Sequence, residues 1–185
     1  VSNALVGDYL TQGPLVKEFE ENFANYVDAK YAVAVSNGTA ALHLCALSLS
    51  IQPGDKIIIT SLTFAASANC IRYCGGEVVF VDIDPNTFLI DLEKVEKLLR
   101  SAPSGTYKGI IPVDFAGFPC DYEEIMQLVT SREIQSLFVP TSDVQKKLGR
   151  ILVINDAAHS LGAFYKENVR TGSETDVSIF SLHAV

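Results

Sequence analysis

The side chains with chemical potential in this sequence collect in four short stretches, each directly after a run of apolar residues. The first is Ser36-Asn37-Gly38-Thr39-Ala40-Ala41, which couples a glycine to a hydroxyl where a helix-length segment begins. Glycine lets a ligand approach the backbone, and the free N–H groups and partial positive charge of a helix start suit a phosphate. The same residues also read as a plain strand-to-helix turn capped by Ser36 or Thr39. The pattern is neither G-x-G-x-x-G nor a P-loop, because no G-K-[ST] follows. The second stretch, Thr60-Ser61-Leu62-Thr63-Phe64, ends on a ring that either stacks on a flat ligand or fills the core. The third, Asn155-Asp156-Ala157-Ala158-His159-Ser160, puts a carboxylate at the end of an apolar run. Such a carboxylate is costly unless a cation or a hydrogen-bond donor meets it, and a protonated pyridine nitrogen is one such partner. His159 is placed to cover the same ring or to hold the carboxylate; the alternative is that Asp156 caps the next helical turn. In the fourth, Ser181 offers a hydroxyl to a phosphate held by Gly38 and Thr39, or is a simple end-of-strand serine. Asp156, His159 and His183 lack tight ligand spacing, which argues against a metal site.

The elements that must position these residues alternate in kind. Short β-branched runs occur at residues 31–36 (YAVAVS), 56–60 (KIIIT), 77–82 (EVVFVD), 109–113 (GIIPV), 151–155 (ILVIN) and 176–180 (DVSIF). Their near-continuous apolar character predicts strands buried on both faces. Between them lie predicted helices. Leu15, Phe19, Phe23 and Val27 step by four along one stripe; residues 38–50 are apolar almost all round, predicting a buried helix. Asp91 is the N-cap of a third helix, and residues 121–130 form a fourth. Residues 131–150 are less regular and read as an inserted surface loop with a short helix around 144–148. Alternation of strand and helix predicts an α/β fold, a mainly parallel sheet with helices on both faces. In such sheets ligands bind beyond the carboxyl ends of the strands, where all four stretches fall.

Composition narrows the function. The 185 residues are 48% hydrophobic and 19% charged, which makes a globular chain. A net charge of −8 repels phosphate backbones and argues against general nucleic-acid binding. No apolar run reaches the roughly 20 residues that cross a bilayer, and no signal-peptide pattern is visible, so no membrane partner is expected. Cys45, Cys70, Cys74 and Cys120 form no C-x-x-C pair and read as reduced core residues of a cytoplasmic protein.

Taken together, the strand ends resemble, in order and spacing, the DegT/DnrJ/EryC1/StrS family of sugar aminotransferases, which use pyridoxal phosphate (PLP) on the aspartate-aminotransferase fold. The likeness is carried by LTQGPLVKEFE (10–20), AVSNGTAALHL (34–44), PGDKIIITSLTF (53–64), VFVDIDP (79–85), NDAAHSLG (155–162) and IFSLHAV (179–185). It covers nearly all of the chain apart from 131–150. It implies an N-terminal helical segment at 1–30 and an incomplete PLP-binding large domain at 31–185, without the family's C-terminal small domain. The resemblance makes Gly38, Thr39 and Ser181 phosphate ligands and Phe64 the residue stacked on the ring. Asp156 becomes the partner of the pyridine nitrogen, and His159 lies near the ring oxygen and Asp156. Asp114, in PVDFAG (112–117), stands where many members have histidine.

The family's Schiff-base lysine would be residue 186, one beyond Val185. The nine lysines present fit the role poorly: Lys17, Lys94 and Lys97 lie on predicted polar helix faces and Lys166 in a surface turn. The chain therefore reads as part of a longer polypeptide. For that parent the resemblance implies transfer of an amino group from an amino-acid donor, glutamate, to a keto-deoxy nucleotide sugar. It also implies a homodimer, with the second subunit reaching the phosphate. The quoted motifs lean toward members acting on UDP-4-keto hexosamines. Two alternatives stand beside it: a sugar dehydratase of the same fold, with histidine in place of the lysine, and a catalytically inert PLP-binding remnant.

Overall fold

The structure, a computed structural model, describes residues 2–183. Five strands form one sheet: β1 (Lys56–Thr60), β2 (Glu77–Val81), β3 (Tyr107–Ile111), β4 (Leu152–Asp156) and β7 (Val177–Ile179). Their order is β2-β1-β3-β4-β7, and every pair is parallel. A small antiparallel hairpin, β5 (Phe164–Lys166) with β6 (Val169–Arg170), lies outside it.

The period-two alternation of a strand splits the apolar runs between two cores. Ile58, Val81, Ile110 and Val153 face one layer. That layer is closed by Val95 and Leu99 of α5 (Leu92–Ser101), Ile125 and Val129 of α6 (Tyr122–Thr130), and Ile134 of α7 (Arg132–Leu137). Ile57, Ile59, Ile111, Leu152 and Ile154 face the other. There they meet Leu42 and Ala46 of α3 (Gly38–Ser48) and Cys70 and Ile71 of α4 (Ala65–Tyr73). The Asp91 carboxylate caps α5 by accepting from the Lys94 N–H at 3.1 Å, and Asp121 caps α6 in the same way from Glu124. Pro14 opens α2 (Pro14–Tyr26), where its missing N–H costs nothing. A four-residue helix, α1 (Ser2–Leu5), precedes it. No helix among the described residues is long and apolar enough to cross a membrane.

Three sequence expectations are corrected, and one helix that the sequence did not announce is added. Residues 31–36 form no strand: Tyr31 and Val33 are 76% and 79% exposed. A strand is defined by its neighbour, and among the described residues the sheet ends at β7. The segment is instead anchored by the Ala34 N–H on the Glu20 carboxylate at 2.8 Å. Helix α3 buries only one face; Leu44 and Leu47 are half exposed despite its apolar circumference. Helix α4 lacks the apolar stripe that marks a helix in sequence, because small residues pack it against the sheet: Ala66 and Ser67 are buried. Residues 131–150 are not a surface loop. The short helix expected around 144–148 is present as α8 (Asp143–Leu148), but a further helix, α7, precedes it, and Ile134 and Gln145 are buried. Gln145 Nε2 and the Thr141 hydroxyl donate to the buried Asp55 carboxylate at 3.0 and 2.8 Å, so this segment is bolted to the loop that feeds β1.

Gly109 lets β3 lie against β4. A Cβ there would stand 2.6 Å from Leu152 Cδ1 and 2.8 Å from its Cγ, with Ile57 Cδ1 at 3.1 Å. Leu152 is itself buried and has nowhere to move. Gly109→Ala is therefore expected to cost about 1–3 kcal/mol by overpacking. Urea unfolding measures it, and an unchanged midpoint would contradict the packing described.

Candidate functional site

Three neighbouring strand ends and two helix starts gather at one end of the sheet. At the centre is Asp156, the last residue of β4 and only 4% exposed. Its backbone is fixed on both sides. The Asp156 N–H donates to the Pro112 carbonyl at 3.0 Å, and the Asp114 N–H to the Asp156 carbonyl at 3.1 Å. On the other edge the Ala157 N–H donates to Ile179 of β7 at 2.9 Å. Its carboxylate takes a 2.6 Å hydrogen bond at Oδ2 from the Ser67 hydroxyl and a long one, 3.3 Å, at Oδ1 from the Ala158 N–H. Burial pushes its pKa above the ordinary aspartate value. Ser67 and Ala158 pull it down, Asp114 pushes it up by like charge, and His159 pulls it down.

Behind Asp156 lies a second buried carboxylate, Asp114, fully enclosed. It accepts from the hydroxyls of Tyr122 and Ser160 and from the Cys120 N–H at 2.9 Å. Burial raises its pKa as well, against those donors. A phenol has one proton, and the Asn155 side chain also touches the Tyr122 oxygen. That contact is made by Asn155 Oδ1, so the carboxylate and the amide oxygen share one phenol proton, and the Asn155 NH2 group has no partner. Asp114 thus holds the turn after β4 through Ser160.

Beside the chain that leaves β7 is the start of α3. The cap is Asn37, whose side-chain oxygen accepts from the Ala40 N–H at 2.8 Å; neither Ser36 nor Thr39 fills that role. Gly38 is the first helical residue, Thr39 is exposed, and the N–H groups of both lie in the first turn, without intrahelical partners. Ser181 sits directly against Gly38: a Cβ on the glycine would lie 3.4 Å from Ser181 Cβ and 3.7 Å from its hydroxyl. Ile179 pairs with Asp156, so Ser181 lies one strand across from the carboxylate and two residues further on. Phe64 is the N-cap residue of α4, three residues before Ser67, and its ring is 77% exposed rather than in the core. His159 is exposed at the rim.

The structure thus brings Gly38, Thr39, Phe64, Asp156, His159 and Ser181 to one end of the sheet. Ala184 and Val185, which lead toward the expected lysine, lie outside the described residues. Sequence reasoning missed Asn37, Ser67, Tyr122 and Ser160. Asn37 is the cap-type residue next before Gly38, a signal that was present; Ser67 carries no local signal, since its partner is 89 positions away. Of the cysteines, Cys70 and Cys120 are buried while Cys45 and Cys74 are half-buried. Burial pushes the Cys70 thiol up to about 12, which leaves it protonated and unreactive. Among the described residues no group of three or more histidine, cysteine or acidic side chains is placed to hold a metal.

A parallel sheet flanked by helices is the aspartate-aminotransferase-like fold of the large domain, which the solved neighbours below share. The chain belongs to the DegT/DnrJ/EryC1/StrS aminotransferase family, whose model matches residues 1–138. It is 38% identical to the GDP-perosamine synthase of Caulobacter vibrioides over 170 residues, 92% of this chain and 40% of the relative. It is 36% identical to the spore coat polysaccharide biosynthesis protein SpsC of Bacillus subtilis over 184 residues, 100% of this chain and 42% of the relative. Among solved structures, Spr1654 from Streptococcus pneumoniae in its PLP form superposes with a TM-score of 0.91 at 36% identity, covering 100% of this chain and 45% of that one. The chain spans somewhat under half the length of these relatives.

Two outcomes follow from the buried carboxylates. A carboxyl whose folded-state pKa is raised keeps a proton that the unfolded chain has released. Stability therefore falls as pH rises from the ordinary aspartate value through the raised one. Asp156→Asn is expected to stabilise the chain at pH 8 by on the order of 1–3 kcal/mol and to lose that advantage toward pH 4. Equal stability gains at both pH values in urea unfolding would contradict an uncompensated charge at this position. Tyr122→Phe, which removes a donor from buried Asp114, is expected to cost about 1–3 kcal/mol in the same assay; a neutral result would mean that Asp114 does not depend on it.

Proposed function

We propose that this chain is the cofactor-binding half of a PLP-dependent sugar aminotransferase. The observation that carries the reading is one buried carboxylate, Asp156, at the end of β4, paired with Ile179 of β7, whose chain runs on to Ser181 against the Gly38 helix start. A helix mouth that binds an acid and a carboxylate that holds a proton suit the two ends of a phosphorylated pyridine. Family membership and the PLP and PMP forms in which Spr1654 was solved support it.

In this reading each residue has a physical task. The Gly38 and Thr39 N–H groups at the start of α3, with the hydroxyls of Thr39 and Ser181, bind the phosphate dianion. Asp156 keeps a proton on the ring nitrogen, and the cation in turn supplies the neutralising charge that a buried carboxylate lacks. Phe64 covers one face of the ring, which accounts for an aromatic side chain left largely in solvent. His159 contacts the ring oxygen side and Asp156. The bound cofactor supplies an electron sink for exchange of an amino group at carbon. The proton-moving residue is the lysine expected at position 186, directly after Val185. The parent enzyme takes its amino group from glutamate and gives it to a keto-deoxy nucleotide sugar, working as a cytoplasmic homodimer.

The test is equilibrium binding of pyridoxamine phosphate, which needs no lysine, to the full chain, followed by the ligand's fluorescence. Asp156→Ala is expected to weaken binding at least about 10-fold, the value of a charge-assisted hydrogen bond. Equal affinity of the variant and the unaltered chain, or no binding by either, would overturn the reading.

A further inference from the structure

The two oxygens of Asp156 are not equivalent. Oδ2 receives the short bond from Ser67; Oδ1 has only the long contact from Ala158. Ser67 is fully buried on α4, an element contributed by the crossover between β1 and β2, and it reaches Asp156 across the sheet's carboxyl end. Its own hydroxyl has further neighbours, Thr63 Oγ1 at 2.6 Å and the Phe64 carbonyl at 3.2 Å. An ionised carboxylate only accepts, so it claims the Ser67 proton, and Thr63 is then the donor to Ser67. The result is a one-way chain of hydroxyls, Thr63 to Ser67 to Asp156, each bond polarising the next.

We propose that Ser67 is a positioning residue for Asp156: it pins Oδ2 and so turns Oδ1 to a cationic ring nitrogen. The assignment rests on the cofactor reading above, since it concerns what the carboxylate is aimed at. It also gives α4 a second role beyond presenting Phe64. One short helix start carries both the ring that covers the ligand's face and, one turn later, the hydroxyl that orients the group at its edge. The other charged or titratable groups near the carboxylate are Asp114 behind it, His159 at the rim and the Cys70 thiol on α4. None of them donates a hydrogen bond to it. Ser67 is its strongest described donor, and the donated bond favours the ionised form against the pull of burial.

The experiment compares pyridoxamine phosphate affinity of the full chain with Ser67→Ala, Ser67→Thr, Ser67→Cys, Asp156→Asn and the double variant Ser67→Ala/Asp156→Asn between pH 6 and 9. Ser67→Ala is expected to bind about 10-fold more weakly at pH 7, with the deficit shrinking as pH rises and Asp156 is forced to ionise. Ser67→Thr is expected to restore binding, and Ser67→Cys, which keeps the volume but weakens the donor, to fall between alanine and serine. In the Asp156→Asn background the alanine change is expected to add nothing. Weakening by Asp156→Asn without weakening by Ser67→Ala overturns this assignment while leaving the cofactor reading in place. The same loss from Ser67→Ala in both backgrounds also overturns it, because the effect is then packing. Indifference to Asp156→Asn removes the cofactor reading and the assignment with it. Should the alanine variant fail to fold, cysteine matching serine across the pH range overturns the assignment.

Discussion

A carboxylate buried at the end of a central strand is the constraint on which the rest of this structure turns. Asp156 loses nearly all of its hydration, and the donors around it, one serine hydroxyl and one distant N–H, do not replace what water gave. A fold pays such a penalty only where the charge has a use. Everything nearby is arranged to keep that charge in place. The backbone of Asp156 is pinned from Pro112 on one side and Ile179 on the other, and Asp114 anchors the following turn through Ser160. The two carboxylates also repel each other, and the donors that favour the charge on Asp114, Tyr122 and Cys120 among them, sustain that repulsion on Asp156.

The sheet makes this arrangement rigid. Parallel strands put all their carboxyl ends on one edge. Gly38, packed against Ser181, marks where one helix start meets the chain just beyond β7. Apolar layers on both faces leave the strands no freedom to slide, so the carboxylate at the end of β4 is held by the sheet. That rigidity suits a flat ligand held at both ends.

Much of this was legible in the sequence, and the exceptions have physical causes. The isoleucine runs at 57–59 and 110–111 announce doubly buried strands because both faces of a parallel sheet are covered. Asp91 and Asp121 announce caps because their bonds close within three residues. Asp156 stood out because a charged residue ended an apolar run. Residues 31–36 misled because β-character needs a partner strand, which no periodicity supplies. Helix α4 escaped notice because alanine and serine pack closely without leaving an apolar stripe. Gln145 and Ser67 were invisible for one reason: each serves a carboxylate some 90 positions away, at distances of 90 and 89 residues. Contacts of that span belong to topology, which local spacing does not encode.

The central claim is that Asp156 holds a proton on a bound pyridine nitrogen. The most direct measurement is the nitrogen-15 chemical shift of ring-labelled pyridoxamine phosphate bound to the full chain, recorded across neutral and mildly alkaline pH. The account requires a protonated ring nitrogen throughout that range, reverting to the unprotonated shift when the carboxylate is replaced by the asparagine amide. An unprotonated nitrogen in the unaltered chain, or a protonated one that ignores the replacement, would contradict it.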